Sequence, residues 1–372
     1  MDIKGRNVLV LGGYGLVGNA VCRELMRHEP ARLVIASLRK EEALQAVEML
    51  RQDHGKTSTK ILPSWGDFLL RSEWQQDIHD AHPRIGILAD TDKRRRLVAD
   101  ILDELDDEII QSSLLYQKIM GEANELGGKP AHILIDCVNT ATAVAYQNVF
   151  ESAHRIRDSI EAKKKTDWPQ EFELLLASLY VPQLVRHVQI LNEAMLRAGT
   201  QAYVKVGTSG TGGMGFNIPY THGEERPSRV LLSKSAVAGA QSMLIWLLAR
   251  TPGGAEVVKE IKPTAAIAWK KMDYGLIRRG GRHFELFDCS PEEAYSLSEE
   301  STLTPEGKFG KGTGEFLESV YIDTGENGMF AVGEFTAITA LGQMEFVTPE
   351  EIAHNVITVS YTHLTLPTTP YV

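Results

Sequence analysis

Short apolar runs alternate with amphipathic stretches along roughly the first 260 residues. Val8-Leu9-Val10-Leu11 reads as a buried parallel strand, Asn19 to Arg27 as a helix and Arg32 to Ser37 as a second strand. Helical spacing over Glu41 to Arg51 and a short strand at Thr59 to Pro63, leading into Trp65-Gly66-Asp67-Phe68, complete a βαβαβ order. Strands resume at His132 to Val138 and at Ala202 to Val206. The expected fold is therefore α/β, a doubly wound parallel sheet.

Two polar helical excursions interrupt this order. The first runs from about Arg84 to Gly128, with Leu97, Ile101, Leu105 and Ile109 at helical spacing; the second covers about 150–170, with Trp168-Pro169 as a break. Both are expected to serve as lids or as contacts in a homo-oligomer. Leu174 to Ala198 predicts one long amphipathic helix ended by Gly199. Arg229 to Arg250 predicts an apolar helix with Ser228 as its cap and Gly253-Gly254 as its stop. Past Glu260 short strands are expected at Ile261 to Ala266, His283 to Phe287, Ser319 to Ile322 and Met329 to Val332, the last two joined by a hairpin turn at Glu326-Asn327-Gly328. Thr348-Pro349-Glu350-Glu351 looks like a capped helix start.

Composition narrows the class. With 372 residues, 43% hydrophobic, the chain can bury a full core. No membrane-length apolar stretch or signal pattern is present, so a cytoplasmic protein is expected. Three scattered cysteines, Cys22, Cys137 and Cys289, point to reduced structural thiols. A net charge of −10 argues against a nucleic-acid partner; no membrane partner is expected, and a small-molecule substrate is. The basic run Lys93-Arg94-Arg95-Arg96 is expected to be a solvated helix face. Metal, hydrolase and kinase motifs are absent from the sequence.

The chemistry starts at Gly12-Gly13-Tyr14-Gly15-Leu16-Val17-Gly18, directly behind the first strand and before the first helix. Glycines at this spacing let the chain turn sharply and bring backbone N–H groups to a pyrophosphate at a helix N-terminus. Where an acid would hold a ribose 2′-hydroxyl, the chain reads Ala36-Ser37-Leu38-Arg39-Lys40. Ser37, Arg39 and Lys40 suit a 2′-phosphate, which favours NADP over NAD. A second glycine-rich stretch, Gly207 to Gly215, follows the Ala202 to Val206 strand at the end where open α/β sheets bind ligands.

In this order the landmarks resemble the extended short-chain dehydrogenase/reductase family, which includes nucleotide-sugar epimerases and dehydratases. The likeness covers about residues 5–270. It implies a Rossmann-type fold, an acid at Asp67 beside Phe68 near the adenine, and a turn under the cofactor at Cys137-Val138-Asn139. It further implies a Ser/Thr pair at Thr208-Ser209 and a ribose-binding lysine at Lys234. The family's acid/base tyrosine stands four residues before that lysine, and here that position is Val230. Valine cannot move a proton, so Tyr220, His222, Glu224 or Glu225 in the preceding loop would have to act as acid or base, with Ser209 or Thr211 orienting the substrate. The alternatives are a non-catalytic NADP-binding sensor or scaffold and, because Gly-Gly-Tyr-Gly-Leu-Val-Gly also resembles their start, a saccharopine-dehydrogenase-like reductase.

The expected organisation is a nucleotide domain over 1–260, a truncated substrate-binding region over 261–358 and a tail over 359–372. That tail resembles translated sequencing-adaptor DNA at the broken end of a contig, and no ordered structure is expected of it.

Overall fold

The computed structural model describes residues 2–77, 84–122, 127–207 (146, 148 and 164 aside), 229–262, 271–279, 282–288, 311–323, 329–333 and 348–361. They fall into two units, one built from 1–211, 227–264 and 347–372, the other from 212–226 and 265–346.

The first unit is a Rossmann-type α/β fold. Six parallel strands, β1 (Asn7–Leu11), β2 (Arg32–Ser37), β3 (Lys60–Trp65), β4 (Ile133–Asp136), β5 (Ala202–Val206) and β6 (Val257–Ile261), lie in the order β3-β2-β1-β4-β5-β6. The reversal of strand order at β1 and β4 makes the crevice in which such sheets bind ligands. The central strands are buried along almost their whole length, which is why they read as continuous apolar runs. Pro63 is tolerated because β3 is an edge strand, where a missing N–H costs no ladder bond on the open side.

Helices α1 (Leu16–Met26) and α2 (Lys40–His54) follow β1 and β2. After β3 come a short 3-10 helix (Ser72–Asp77) and four short helices, α3 (Arg84–Ala89), α4 (Thr91–Leu102), α5 (Asp107–Ser112) and α6 (Leu114–Met120). After β4 come α7 (Thr140–Ala145), α8 (Val149–Glu161), α9 (Trp168–Ala177) and α10 (Tyr180–Ala198); α11 (Arg229–Leu248) precedes β6, and α12 (Pro349–Tyr361) returns to this unit. Leu9, Leu11, Leu134 and Tyr203 of the sheet pack with Leu115 and Ile119 of α6 and Leu191 and Met195 of α10 into one core.

Several expectations are corrected here. The single helix over Leu174 to Ala198 is two, α9 and α10, set 56° apart at a break at Ser178-Leu179. Trp168-Pro169 opens α9 instead of breaking a helix: proline sits in the first turn, where it needs no N–H partner, and Asp167 caps it by accepting from the Gln170 N–H. Gly199, at φ +65°, ends α10 in the left-handed region as expected. The last parallel strand lies at Val257–Ile261, ahead of the expected 261–266, and 263–270 lie outside the described residues.

The basic run is a solvated face only in part: Arg95 and Arg96 are exposed, while Arg94 turns inward. Arg94 is buried and donates through Nε to Glu173 at 2.8 Å and through Nη1 to the Leu88 carbonyl at 2.9 Å. Arg95 donates to the other Glu173 oxygen at 2.8 Å, and Arg96 pairs with Glu108. Beside them Arg71, 4% exposed, holds Asp100 at 2.6 Å and Glu108 at 2.5 Å. Arg71 and Arg96 together draw the Glu108 carboxyl down to about 2. These pairs fasten the first excursion to α9 and to the segment after β3.

Helix α12 starts as expected, with the Thr348 hydroxyl accepting from the Glu351 N–H. It runs through Tyr361, past the expected start of the tail at Val359, and packs on α1, β5 and β6. Ser360 is fully buried and the Tyr361 hydroxyl meets His28 Nδ1 at 2.9 Å. Residues 362–372 lie outside the described residues.

The second unit holds short antiparallel strands: β7 (Lys271–Leu276), β12 (Glu318–Asp323) and β13 (Met329–Ala331) form one sheet, β10 (Glu285–Asp288) pairs with β11 (Lys311–Phe316), and β8 (Arg278–Arg279) pairs with β9 (Arg282–His283). The pairing Asp323 with Met329 agrees with the expected hairpin, whose turn lies outside the described residues.

Candidate functional site

A cavity of about 1000 Å³ opens at the carboxyl ends of β1 to β4, a size at the upper end of ligand sites. Its floor comes from Leu11 and Gly12 after β1, Ser37 and Leu38 after β2, Gly66 to Leu69 after β3, and Asp136, Val138 and Thr140 after β4. Much of its wall comes from the two excursions and the helix that follows the second: Arg84, Ile85 and Leu88 of α3, Glu151, Ser152 and Arg155 of α8, and Gln170 and Leu174 of α9.

The glycine turn is built as the sequence requires. Gly12 has φ +75°, and a Cβ there would stand 3.0 Å from the Cys137 carbonyl carbon, so the turn presses directly on the segment after β4. A Cβ on Gly13 would meet Ile35 at 2.6 Å, and one on Gly18 would overlap the Gly12 carbonyl oxygen. Gly15 caps α1, with no side-chain oxygen on its first N–H groups. Tyr14 and Leu16 are exposed and Val17 is half-buried at this end. The helix end is thus shaped to present bare N–H donors to an anion.

At the end of β2 the tertiary structure supplies a group the linear reading did not place there. The Ser37 hydroxyl donates to Glu42 Oε2 at 2.6 Å, and the same oxygen accepts from the Arg39 N–H at 3.4 Å. A carboxylate therefore stands behind Ser37, while the Arg39 and Lys40 side chains are exposed. Lys40 lies over the Trp65 ring at 5.4 Å. Asp67 lines the cavity beside Phe68, and its Oδ1 accepts from the Leu69 N–H at 2.9 Å.

Behind the turn at Cys137-Val138-Asn139 sits a buried polar cluster that the sequence reading missed. Lys205 Nζ lies 3.0 Å from Asp136 Oδ2 and donates to the Val138 carbonyl at 2.5 Å and to the Thr140 hydroxyl at 3.5 Å. The Tyr203 hydroxyl donates to Asp136 Oδ2 at 3.2 Å, and Asp136 Oδ1 accepts from the Val138 N–H at 2.9 Å. Lys205 and Asp136 side chains are 1% and 2% exposed. Burial, with Asp136 adding to it, pushes the Tyr203 phenol well above its ordinary value. The available signal was a charge in each of two otherwise apolar strands, Ile-Leu-Ile-Asp and Ala-Tyr-Val-Lys-Val. Charges in buried strands demand partners.

His187 of α10 also lines the cavity, buried, and burial draws its pKa down to about 4. The unfolded chain binds a proton near 6.5, so stability contributed by the neutral native imidazole is full above that value and is lost as pH falls from 6.5 towards 4. The expected loss is up to about 3 kcal/mol, read from denaturant midpoints across this window. His187→Gln should flatten that slope; an unchanged slope would place the titration elsewhere.

Both described thiols are free: Cys22 is raised by burial, and Cys137 is raised to about 12 mainly by burial. Such thiols are inert. Lys234 is buried on α11, on the face of Val237 and Ala238 that packs with Val144 of α7 and Leu184 of α10; it does not line the cavity. Ser209, Thr211, Tyr220, His222, Glu224, Glu225 and Cys289 lie outside the described residues, as do Thr208 and Ser228. Among the described residues no group of His, Cys, Asp and Glu could hold a metal ion, and no single helix is long and apolar enough to cross a membrane.

A family model described as the β-methylindole-3-pyruvate reductase C-terminal domain matches residues 286–362. No curated protein matches the sequence. Similar solved structures include Pen from Bacillus thuringiensis (10% identity, TM-score 0.33, covering 70% of this chain and 51% of that one). A 3-oxoacyl (acyl-carrier-protein) reductase from Agrobacterium tumefaciens C58 with NADP bound is similar at 14% identity and TM-score 0.33, covering 67% and 65%. A short chain dehydrogenase/reductase family protein is similar at 14% identity and TM-score 0.39, covering 99% and 94%. The chain thus spans about half the length of the first of these and just under two thirds of the second. At these identities and scores the likenesses carry no argument, and the fold rests on the strand order itself.

Proposed function

We propose that this chain binds NADP at the glycine turn and moves a hydride between the nicotinamide and a carbonyl or hydroxyl carbon of a small molecule. The observation that carries this reading is the turn at Gly12 to Gly18 facing a 1000 Å³ cavity at the carboxyl edge of a parallel sheet. NADPH, when bound, supplies the hydride. The chain's own residues bind and orient: the first N–H groups of α1 take the pyrophosphate, Asp67 and Phe68 border the adenine, and Lys205 and Asp136 hold the turn under the cofactor. Arg39 and Lys40 are exposed beside Ser37 and supply charge for a 2′-phosphate. The Glu42 carboxylate behind Ser37 is the group that would favour NAD.

The matched family's name denotes a reductase of a 2-oxo acid, which supports placing 2-oxo acids beside nucleotide sugars in a substrate panel. Oxidation of NADPH by any member supports the reading. Arg39→Ala is expected to weaken NADPH binding about tenfold, or about 1.4 kcal/mol, while leaving NADH unchanged. Fluorescence titration of both cofactors checks this, and a clear NADH preference of the unaltered protein would overturn the NADP assignment.

The second reading, a nucleotide-binding sensor without turnover, is favoured by Val230, four residues before Lys234 on α11. Tight NADPH binding with no oxidation across the panel would select it.

A further inference from the structure

Behind the cleft, a separate cavity of about 40 Å³ lies between the segment after β3, helix α4 and helix α10, and it shares Arg84 and His187 with the cleft wall. One water needs about 10–15 Å³ of such space. Three buried nitrogen atoms of its lining residues have no hydrogen-bond partner: Nε and Nη1 of Arg186 and Nε2 of His187. These residues are 8% and 7% exposed. The remaining Arg186 arm donates to the Asp103 carbonyl, and no carboxylate among the described residues pairs with this guanidinium. Asp100 also lines the cavity, but its two oxygens accept from Arg71 at 2.6 and 2.5 Å. Arg84 adds a second cation, whose Nη1 donates to the neutral Gln183 amide oxygen at 2.8 Å. Burial lowers the pKa of both arginines and outweighs the nearby carboxylates that raise it, Asp67 for Arg84 and Asp100, Asp103 and Asp106 for Arg186.

A buried cation with two bare N–H groups is costly unless an acceptor meets them. Asp67 near Arg84 and Asp100, Asp103 and Asp106 near Arg186 offset part of the two charges, yet none of them accepts from Nε or Nη1 of Arg186. We propose that this cavity binds one small monovalent anion of chloride size, held by Nε and Nη1 of Arg186 with His187 Nε2–H as a further donor. A space of about 40 Å³ suits an ion of this size better than a large organic anion, and the mostly apolar remainder of its wall disfavours a doubly charged oxyanion. The anion joins the first excursion to α10 and, through Arg84 and His187, steadies one wall of the cleft. The site stands whether or not the cleft takes NADP.

Two measurements test it. Crystals of the full chain soaked in bromide should show an anomalous peak in this cavity; its absence, with water there instead, would overturn the site. In solution, chloride should raise Tm saturably by about 2–4 °C over gluconate at equal ionic strength, and Arg186→Met should abolish that difference. An equal response to both salts in the unaltered protein would sink the proposal. Should Arg186→Met fail to fold, the bromide peak and the salt comparison in the unaltered protein still decide it.

Discussion

Replacing Lys205 with methionine is expected to lower the unfolding free energy by about 3–5 kcal/mol, the cost of leaving a buried charge without its partner. The reason is geometric. Asp136 is 2% exposed and has Lys205 as its only cationic partner among the described residues, at 3.0 Å. Methionine nearly matches the lysine in length and restores none of its three contacts, to Asp136, the Val138 carbonyl and Thr140. The turn under the proposed cofactor would loosen with it, so dinucleotide affinity should fall alongside stability. Denaturant unfolding gives the first quantity and fluorescence titration the second. Adding Asp136→Asn to Lys205→Met should recover part of the lost stability, because the uncompensated charge is then gone while the amide oxygen still accepts from the Val138 N–H and the Tyr203 hydroxyl can turn to accept from the amide NH2. A loss below about 1 kcal/mol in the single variant would show that water reaches the pair.

Gly18→Ala should reduce dinucleotide affinity by roughly a hundredfold, equivalent to about 2.7 kcal/mol. The added methyl would overlap the Gly12 carbonyl oxygen and meet the Gly13 Cα at 2.8 Å, and both atoms are backbone of the turn itself. A backbone clash cannot be relieved by a rotamer change, so α1 must back away from β1 and its N–H groups leave the place where a pyrophosphate would sit. Stability should fall as well, because α1 packs against α12. Gly55→Ala is the control for glycine loss: its φ is +60°, yet nothing lies within 4 Å of the added Cβ. It should cost some stability through backbone strain and leave affinity unchanged. Unaltered binding by Gly18→Ala would remove the turn from the site.

Much of the first unit was legible because each signal was local. A strand buried on both faces must be apolar throughout, as Val8 to Leu11 is, and a turn crowded by its own backbone admits only glycine, as at Gly12 and Gly18. Those constraints predicted five of the six parallel strands in place and the direction of the cleft. The break between α9 and α10 was hidden because apolar spacing continues across Ser178. Polar residues were harder still to place, because what a charge does depends on what the fold brings beside it. Arg94 looked like solvent-facing charge until Glu173, far along the chain, closed on it. Glu42 gave no signal of its own within the helical spacing of Glu41 to Arg51, and only the fold brings its carboxylate to Ser37.

By itself, then, the sequence determined a doubly wound α/β unit with a glycine turn at its crevice, since burial and backbone sterics act through neighbouring residues. Only the tertiary structure decided which charges stand together: Asp136 with Lys205 beneath the turn, the two excursions as walls of the cleft, and Arg186 beside His187 at a small cavity. The physical reason is that an ion pair or an unpaired buried cation is defined by distances across the fold, which no spacing along the chain encodes.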